Sequence, residues 1–194
     1  LLVLPLQKAA LGLIPGASLA NTSFLLILVW AAIEEVMKLA MAGVMVLRHR
    51  AVDEPIDFPT YLITVALGFA ALENTLFVLT PLGNGELFGS LITGNLRFLG
   101  ATLIHVLSSA VIGGALGFAF FKGKFTKLYY GLIGVILATA LHTIFNFTII
   151  NTQADYLLTV FTGVWVGIVF LLLVLERVKL LKRPAWWEKM FTSK

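Results

Sequence analysis

Residues 21–47 read NTSFLLILVWAAIEEVMKLAMAGVMVL, an apolar stretch that carries two glutamates and a lysine at its centre. A helix that crosses a bilayer needs about 20 mainly apolar residues, and this stretch is long enough. Four further segments of this kind follow, at 60–80, 90–121, 128–150 and 156–181. The connections between them are rich in charge, Gly, Pro or Asn, as loops are. We therefore predict an all-α, polytopic transmembrane helix bundle with five clear spans.

The overall composition excludes three other classes of protein. The chain has 194 residues, of which 59% are hydrophobic and 12% charged, with a mean hydropathy of +0.98. Soluble domains carry about 25% charged residues, so neither an ordinary soluble globule nor a disordered chain fits. The sequence contains no cysteine, which excludes a secreted module held together by disulfides.

The two ends of the chain differ from its centre. Residues 1–20 are apolar but contain Pro5, Lys8 and the pair Pro15-Gly16, so they could form a possible sixth span, kinked or re-entrant. No basic region precedes this stretch, unlike in a signal peptide. The main transmembrane domain is predicted at 21–181. A basic, aromatic interfacial tail follows at 182–194, with Trp186 and Trp187 at headgroup level.

The basic residues are distributed in a way that predicts the orientation of the chain. Eleven of the fourteen follow the first, third and fifth spans: Arg48, Arg50, Lys122, Lys124, Lys127, Arg177, Lys179, Lys182, Arg183, Lys189 and Lys194. Cytoplasmic loops carry an excess of Lys and Arg, so these loops and the C-terminus are predicted to be cytoplasmic. The net charge of +4 and the isoelectric point near 9.5 then reflect topology, and no nucleic-acid partner is expected.

Several ionisable residues lie well inside the predicted spans, namely Glu34, Glu35, Lys38, Glu73, Arg97, His105 and His142. A charge at the bilayer centre costs roughly 2.5–3.5 kcal/mol, and such residues commonly mark functional sites. At 1.5 Å per residue, Glu34, Glu73 and His142 lie about 20 Å from the predicted cytoplasmic edge and His105 about 26 Å. We therefore expect them to meet somewhat beyond the midplane, on the outer side.

The third span is too long to stand straight. Counting at 1.5 Å per residue places Arg97, near the start of this span, about 38 Å from the cytoplasmic edge, at the outer interface. The span must therefore tilt, or break near Gly94 or Gly100. Later in the same span, Gly113, Gly114 and Gly117 form a small-residue face that permits close helix approach.

The spacing of the polar residues suggests hydrolytic chemistry. Glu34 and Lys38 are four apart and share a helix face, while Glu35 points about 100° away from Glu34. One carboxylate can then face a cavity while Lys38 holds the other. His142 and Asn146 also share a face and could donate to an oxyanion. Taken singly, each feature could also be a structural ion pair or an interhelical hydrogen bond.

Four short motifs stand in order on successive spans. Residues 34–38 read EExxK, 69–74 read FxxxEN, 105–113 read HxxxxxxxG and 142–146 read HxxxN. This pattern closely resembles the PrsW family of intramembrane proteases, in a superfamily with the CAAX-processing endoproteases and Abi proteins. The resemblance implies an intramembrane endopeptidase that cuts a single-pass or lipid-anchored membrane protein near the outer face of a bacterial or archaeal cell membrane. The family prototype makes a site-1 cut in an anti-sigma factor.

The resemblance also implies a set of site residues. Glu34 and Glu35 would be the essential acidic pair, and the remaining catalytic candidates are Glu73, His105, His142 and Asn146. Lys38, Asn74 and Arg97 would support them. At position 146 the sequence departs from the prototype, which has an acidic residue there, and matches the CAAX branch instead.

Two mechanisms are open at this stage. Without a cofactor, Glu34 with Glu73 would polarise water while His142 and Asn146 hold the oxyanion. With zinc, Glu73, His105 and His142 would be the ligands and Glu34 the base. Ligand type suits zinc, although the sequence has no H-E-x-x-H motif and no other local zinc spacing. Serine-type and aspartyl-type chemistry are disfavoured, since neither set of residues stands in the spans.

Two non-hydrolytic alternatives use the same residues. A proton- or cation-coupled transporter could relay ions through the buried Glu, His and Lys groups. A non-catalytic scaffold could retain them for helix association. The absence of an evident inverted repeat in the sequence argues against the transporter.

Overall fold

The computed structural model describes residues 3–15, 23–151 and 157–185. These residues form helices and contain no strand. The seven helices are α1 (Val3–Leu13), α2 (Phe24–Met45), α3 (Asp57–Gly83), α4 (Leu87–Leu99), α5 (Ala101–Phe118), α6 (Lys124–Asn151) and α7 (Leu157–Lys179). The predicted all-α polytopic bundle is confirmed.

Four of the described helices are long and apolar enough to cross a membrane: α3, α5, α6 and α7. The remaining predicted span corresponds to α2, whose 22 residues cover about 33 Å. Helix α2 differs from the other four spans because three charged residues, Glu34, Glu35 and Lys38, lie at its centre. All three side chains are buried. Helix α2 therefore presents its charges to the protein interior and not to lipid.

The long third predicted span is broken into two helices. Helix α4 ends at Leu99 and α5 begins at Ala101, so the break falls at Gly100, one of the two predicted positions. The 18 residues of α5 cover about 27 Å, close to the hydrocarbon thickness. Arg97 belongs to the backbone of α4, and its side chain lies outside the described residues.

The N-terminal segment contains a helix of 11 residues, α1, which covers about 17 Å. Residues 1–2 and 16–22 lie outside the described part, so a sixth span over 1–20 stays a prediction. The predicted interfacial anchor at Trp186 and Trp187 lies outside it as well.

Ser23 caps the N-terminus of helix α2. Its hydroxyl accepts a hydrogen bond from the Leu26 amide at 3.3 Å, as is common for a helix N-cap.

Helix α5 is at the centre of the bundle and contacts α2, α3, α4, α6 and α7. Its predicted small-residue face is confirmed as a packing surface. A Cβ atom added at Gly113 would lie 2.2 Å from the Cα of Pro59, and one at Gly117 would lie 2.8 Å from the Pro55 carbonyl oxygen. These glycines let the start of α3 and the preceding turn lie directly against α5, which fixes the relative position of Glu73 and His105.

Candidate functional site

A buried ion pair lies at the centre of the site. Lys38 Nζ is 2.6 Å from Glu35 Oε1, and both side chains are fully buried. The same oxygen accepts a hydrogen bond from Ser108 Oγ at 2.8 Å and contacts His142 Nδ1 at 2.7 Å. The residues come from α2, α5 and α6, so this one carboxylate joins three helices. As predicted, Lys38 holds one acid of the pair and leaves the other to face elsewhere.

His105 on α5 is held on both sides of its ring. Its Nε2 lies 2.9 Å from Glu73 Oε2, and its Nδ1 lies 3.2 Å from Lys38 Nζ. A lysine ammonium only donates and a carboxylate only accepts, so Nδ1 carries the lone pair and Nε2 carries the proton. By the same reasoning, His142 Nδ1 donates to Glu35.

The second ring nitrogen of each imidazole lies near Glu34, and that of His105 also contacts Lys38 Nζ. Glu34 Oε2 lies 3.7 Å from His142 Nε2 and 4.0 Å from His105 Nδ1. The two rings stand nearly perpendicular, with their centroids 4.9 Å apart. Glu34 Oε2 is buried and has no hydrogen-bond partner within the described part of the chain. The predicted meeting of acids and imidazoles from four spans is therefore confirmed, while the catalytic roles of these residues stay predictions.

This arrangement fits a divalent metal ion. One ligand atom each from Glu34, His105 and His142 lies within 4.8 Å of the others. Ligands at about 2.0–2.2 Å from a tetrahedral zinc ion lie about 3.3–3.6 Å apart, so a metal would need small side-chain shifts. It would also replace the Lys38 ammonium as the partner of His105 Nδ1. Carboxylates behind both imidazoles, Glu35 and Glu73, are the outer partners that metal-binding histidines usually have. The converging set contains Glu34, whereas the sequence-based zinc set contained Glu73.

Two residues of this site were not identified from the sequence. Gln7 of α1 donates through Nε2 to Glu34 Oε1 at 2.8 Å, and its own carbonyl accepts from Trp30 Nε1 at 3.1 Å. The sequence offered one signal for Gln7, since it is a neutral amide within an apolar segment and could serve as a hydrogen-bond donor. The other is Ser108, one turn after His105, where a hydroxyl in a buried helix could have been recognised as a partner for a charge.

The other predicted site residues lie around the cluster. Asn74 donates to Thr102 Oγ1 at 3.0 Å and so joins α3 to α5. Asn146 is half-buried, one turn after His142, and has no hydrogen bond to the cluster among the residues described. The side chain of Arg97 lies outside the described part of the structure, so its predicted supporting role stays a prediction.

A cavity of about 520 Å³ opens beside the cluster, between α1, α2 and α3. Glu34, Lys38 and Glu73 form its polar part, together with Gln7. The side chain of Glu73 is 23% exposed, whereas those of Glu34 and His105 are at most 6% exposed. The cluster is thus closed on the sides of α5 and α6 and accessible from this cavity.

Comparisons with known proteins agree with this geometry. A family model described as PrsW family intramembrane metalloprotease matches residues 1–175. The protein named Protease PrsW from Geobacillus kaustophilus (strain HTA426) is 29% identical over 126 residues, which cover 63% of this chain and 51% of that relative. The matched part thus spans about half the length of the curated relative. No solved structure is a significant match. Because the family model covers most of its length, this chain belongs to the PrsW family of intramembrane metalloproteases.

Proposed function

We propose that the chain is an endopeptidase that hydrolyses a peptide bond of a membrane-anchored protein, using water activated between Glu34, His105 and His142. The observation that supports this most directly is the convergence of these three side chains around a buried carboxylate oxygen that lacks a partner among the described residues. Family membership favours hydrolysis over ion transport.

In this proposal Glu34, His105 and His142 are the residues that would hold a zinc ion. When bound, zinc supplies Lewis acidity, which lets a water molecule lose its proton near neutral pH. The donor set supports this choice, since two imidazoles and one carboxylate are typical of catalytic zinc sites. Three protein ligands also leave a fourth position for water. Glu73 is then a residue that orients His105 and not a ligand.

The carboxylates that contact the two imidazoles fix the orientation of each ring. Glu35 accepts a hydrogen bond from His142 Nδ1 and Glu73 accepts one from His105 Nε2, so the other nitrogen of each ring lies on the side of Glu34. Lys38 compensates the charge of Glu35 at 2.6 Å. Without this pairing, a fully buried carboxylate would be strongly destabilising.

Glu73 has a second role in the proposed reaction. It lines the cavity and is the more exposed acid of the cluster, so it can accept a proton from the attacking water and return it to the leaving amine. Asn146 remains the expected oxyanion donor, one helical turn after His142 on the same helix.

The substrate in this proposal is a single-span or lipid-anchored membrane protein. A single-span anti-sigma factor is the specific case that the family prototype suggests. With the basic loops in the cytoplasm of a bacterial or archaeal cell, the cluster lies beyond the midplane and the cut falls near the outer face.

The proposal is tested with purified full-length chain in proteoliposomes. The metal content is measured by mass spectrometry, and cleavage is measured on a tagged single-span anti-sigma factor. We expect stoichiometric zinc and a cut product, and loss of both in Glu34→Gln and His142→Ala. His49→Ala is the matched control, because His49 is exposed in a loop away from the cluster. Cleavage that persists after zinc is removed would exclude the zinc mechanism, and ion flux without any cut product would exclude the protease.

A further inference from the structure

The cavity beside the cluster continues along the bundle as a cleft between α2 and α3. Helix α2 packs mainly on α6, and α3 packs mainly on α5, so the two helices are held apart by different neighbours. Helix α1 closes the cleft at the end where Glu34 and Glu73 lie. From there the cleft runs toward the ends of α2 and α3 that border the loop at 46–56.

The walls of this cleft are apolar beyond its polar end. Met37, Met41 and Met45 repeat every four residues along α2 and cover about 12 Å of it. Val65 and Leu72 face them from α3. Methionine side chains are flexible and polarisable, and they suit surfaces that accept varied apolar partners.

Gly68 on α3 has no side chain and so leaves space in the cleft. It lines the cavity, and a Cβ atom added to it would have no neighbour within 4 Å. Helix packing therefore does not require a glycine at position 68. It does require one at position 113, where an added Cβ would lie 2.2 Å from Pro59. A larger residue at 68 would fill the cleft and leave the bundle unstrained.

The polar end indicates what fills the cleft. Gln7, Glu34, Lys38 and Glu73 present hydrogen-bonding groups there, while the rest of the lining is apolar. A lipid acyl chain would match the apolar walls but offer no partner to the polar end. A peptide offers apolar side chains along the cleft and backbone N–H and C=O groups at the site.

We propose that this cleft binds the apolar, membrane-embedded segment of the substrate next to the scissile bond, and that Gly68 and Met41 are specificity-determining positions. The substrate class rests on the proposed function, but binding in the cleft can be measured without cleavage. The cleft would direct the segment from the bilayer to Glu34 and Glu73.

The absence of cysteine from the chain permits a direct binding test. Met41→Cys creates a unique thiol in the cleft, and Val166→Cys creates one on an exposed apolar position of α7. Each full-length variant is placed in liposomes with a synthetic single-span Leu/Ala peptide that carries one cysteine in its membrane segment, and disulfide cross-links are quantified. We expect cross-linking through position 41 well above that through position 166.

The cleft is then filled by Gly68→Leu in the Met41→Cys background. We expect cross-linking to fall to the level of Val166→Cys. Gly163→Leu is the matched control and should have no effect, because a Cβ at Gly163 also meets no atom within 4 Å but lies on α7. Gly68→Ala is the milder variant should Gly68→Leu lower helicity.

The outcomes separate this inference from the proposed function. Cross-linking through position 41 no stronger than through position 166 means that lipid occupies the cleft and overturns the inference. Equal cross-linking in the Gly68 and Gly163 variants overturns it as well. Cross-linking that depends on Gly68, without hydrolysis of the anti-sigma factor used above, supports the cleft and contradicts the proposed protease.

Discussion

His105 Nε2 lies 2.9 Å from Glu73 Oε2, and this contact between α5 and α3 places the other ring nitrogen on the side of α2. There Nδ1 lies 3.2 Å from Lys38 Nζ and 4.0 Å from Glu34 Oε2. An acid on one helix thus sets the direction of an imidazole on the next. The alternative roles of Glu73, as a zinc ligand or as an orienting group, can be distinguished by measuring how zinc affinity responds to its removal.

Glu73→Gln is expected to weaken zinc binding by about 10–100-fold, the usual effect of losing the partner behind a metal-binding histidine. The reason is that an amide accepts the His105 proton less strongly than a carboxylate does. Zinc affinity is measured by competition with a chelator. Thr75→Ala is the control, since its hydroxyl donates to the Ala71 carbonyl of its own helix at 2.8 Å and contacts no residue of the cluster within the described part of the chain. Complete loss of zinc binding would instead make Glu73 a ligand.

Zinc is expected to raise the melting temperature of the chain in detergent, because a ligand that binds only the folded state stabilises it by about 2.7 kcal/mol at 100 times its Kd. Chelation should reverse this shift. Glu34→Gln should abolish the shift, because it removes the carboxylate at the centre of the converging set. His49→Ala should keep the shift in full. An undiminished zinc shift in Glu34→Gln would mean that the metal binds elsewhere.

Much of the fold could be predicted from hydropathy alone. The length of the third span predicted a tilt or a break near Gly94 or Gly100, and the break lies at Gly100. Counting at 1.5 Å per residue predicted that Glu34, Glu73, His105 and His142 lie at similar depth. Rotation about each helix axis could not be predicted in this way. Whether Glu34 or Glu73 faces both imidazoles depends on how α3 sits against α5, and that contact is fixed by Gly113 against Pro59.

The contribution of α1 also escaped prediction. Gln7 contacts Glu34 across 27 positions of sequence, and no periodic pattern links the two residues. An apolar helix of 11 residues carries little information about its partner, since its apolar face fits lipid and protein equally well. Only the burial of the Glu34 carboxylate, which requires hydrogen-bond donors, implies that some donor must reach it.

Gln7→Leu is expected to lower zinc affinity by about tenfold or more, with little change in helicity. The Gln7 amide holds Glu34 Oε1 at 2.8 Å and so directs Oε2 toward the imidazoles. Loss of this bond frees the carboxylate to rotate, and one hydrogen bond to a charged group contributes about 1.5–3 kcal/mol. Leu6→Ala on the same helix, at an exposed position, is the control. Unchanged zinc affinity would mean that Glu34 is oriented without Gln7.

Gly113→Ala is expected to destabilise the folded chain by about 1–3 kcal/mol or more, the cost of overpacking a well-packed interior. The added methyl would lie 2.2 Å from the Pro59 backbone, which cannot move as a side chain can. The measurement is the denaturant midpoint in mixed micelles. Gly163→Ala should be neutral or slightly stabilising, because helix propensity rises and no atom lies within 4 Å. Equal stability of the two variants would mean that α3 and α5 are not in close contact.

Lys38→Met is expected to destabilise the chain by about 3–5 kcal/mol, because it leaves the buried Glu35 carboxylate without its countercharge. Glu35→Gln combined with Lys38→Met should recover most of this loss, since no uncompensated charge then remains. The control is Lys179→Met, which breaks an ion pair of the same i,i+3 spacing with Glu176 at 3.7 Å. Both of those side chains are more than half exposed, so its loss should cost less than about 1 kcal/mol. If the double variant is no more stable than Lys38→Met alone, Lys38 stabilises the chain through packing or through His105 and not by balancing Glu35.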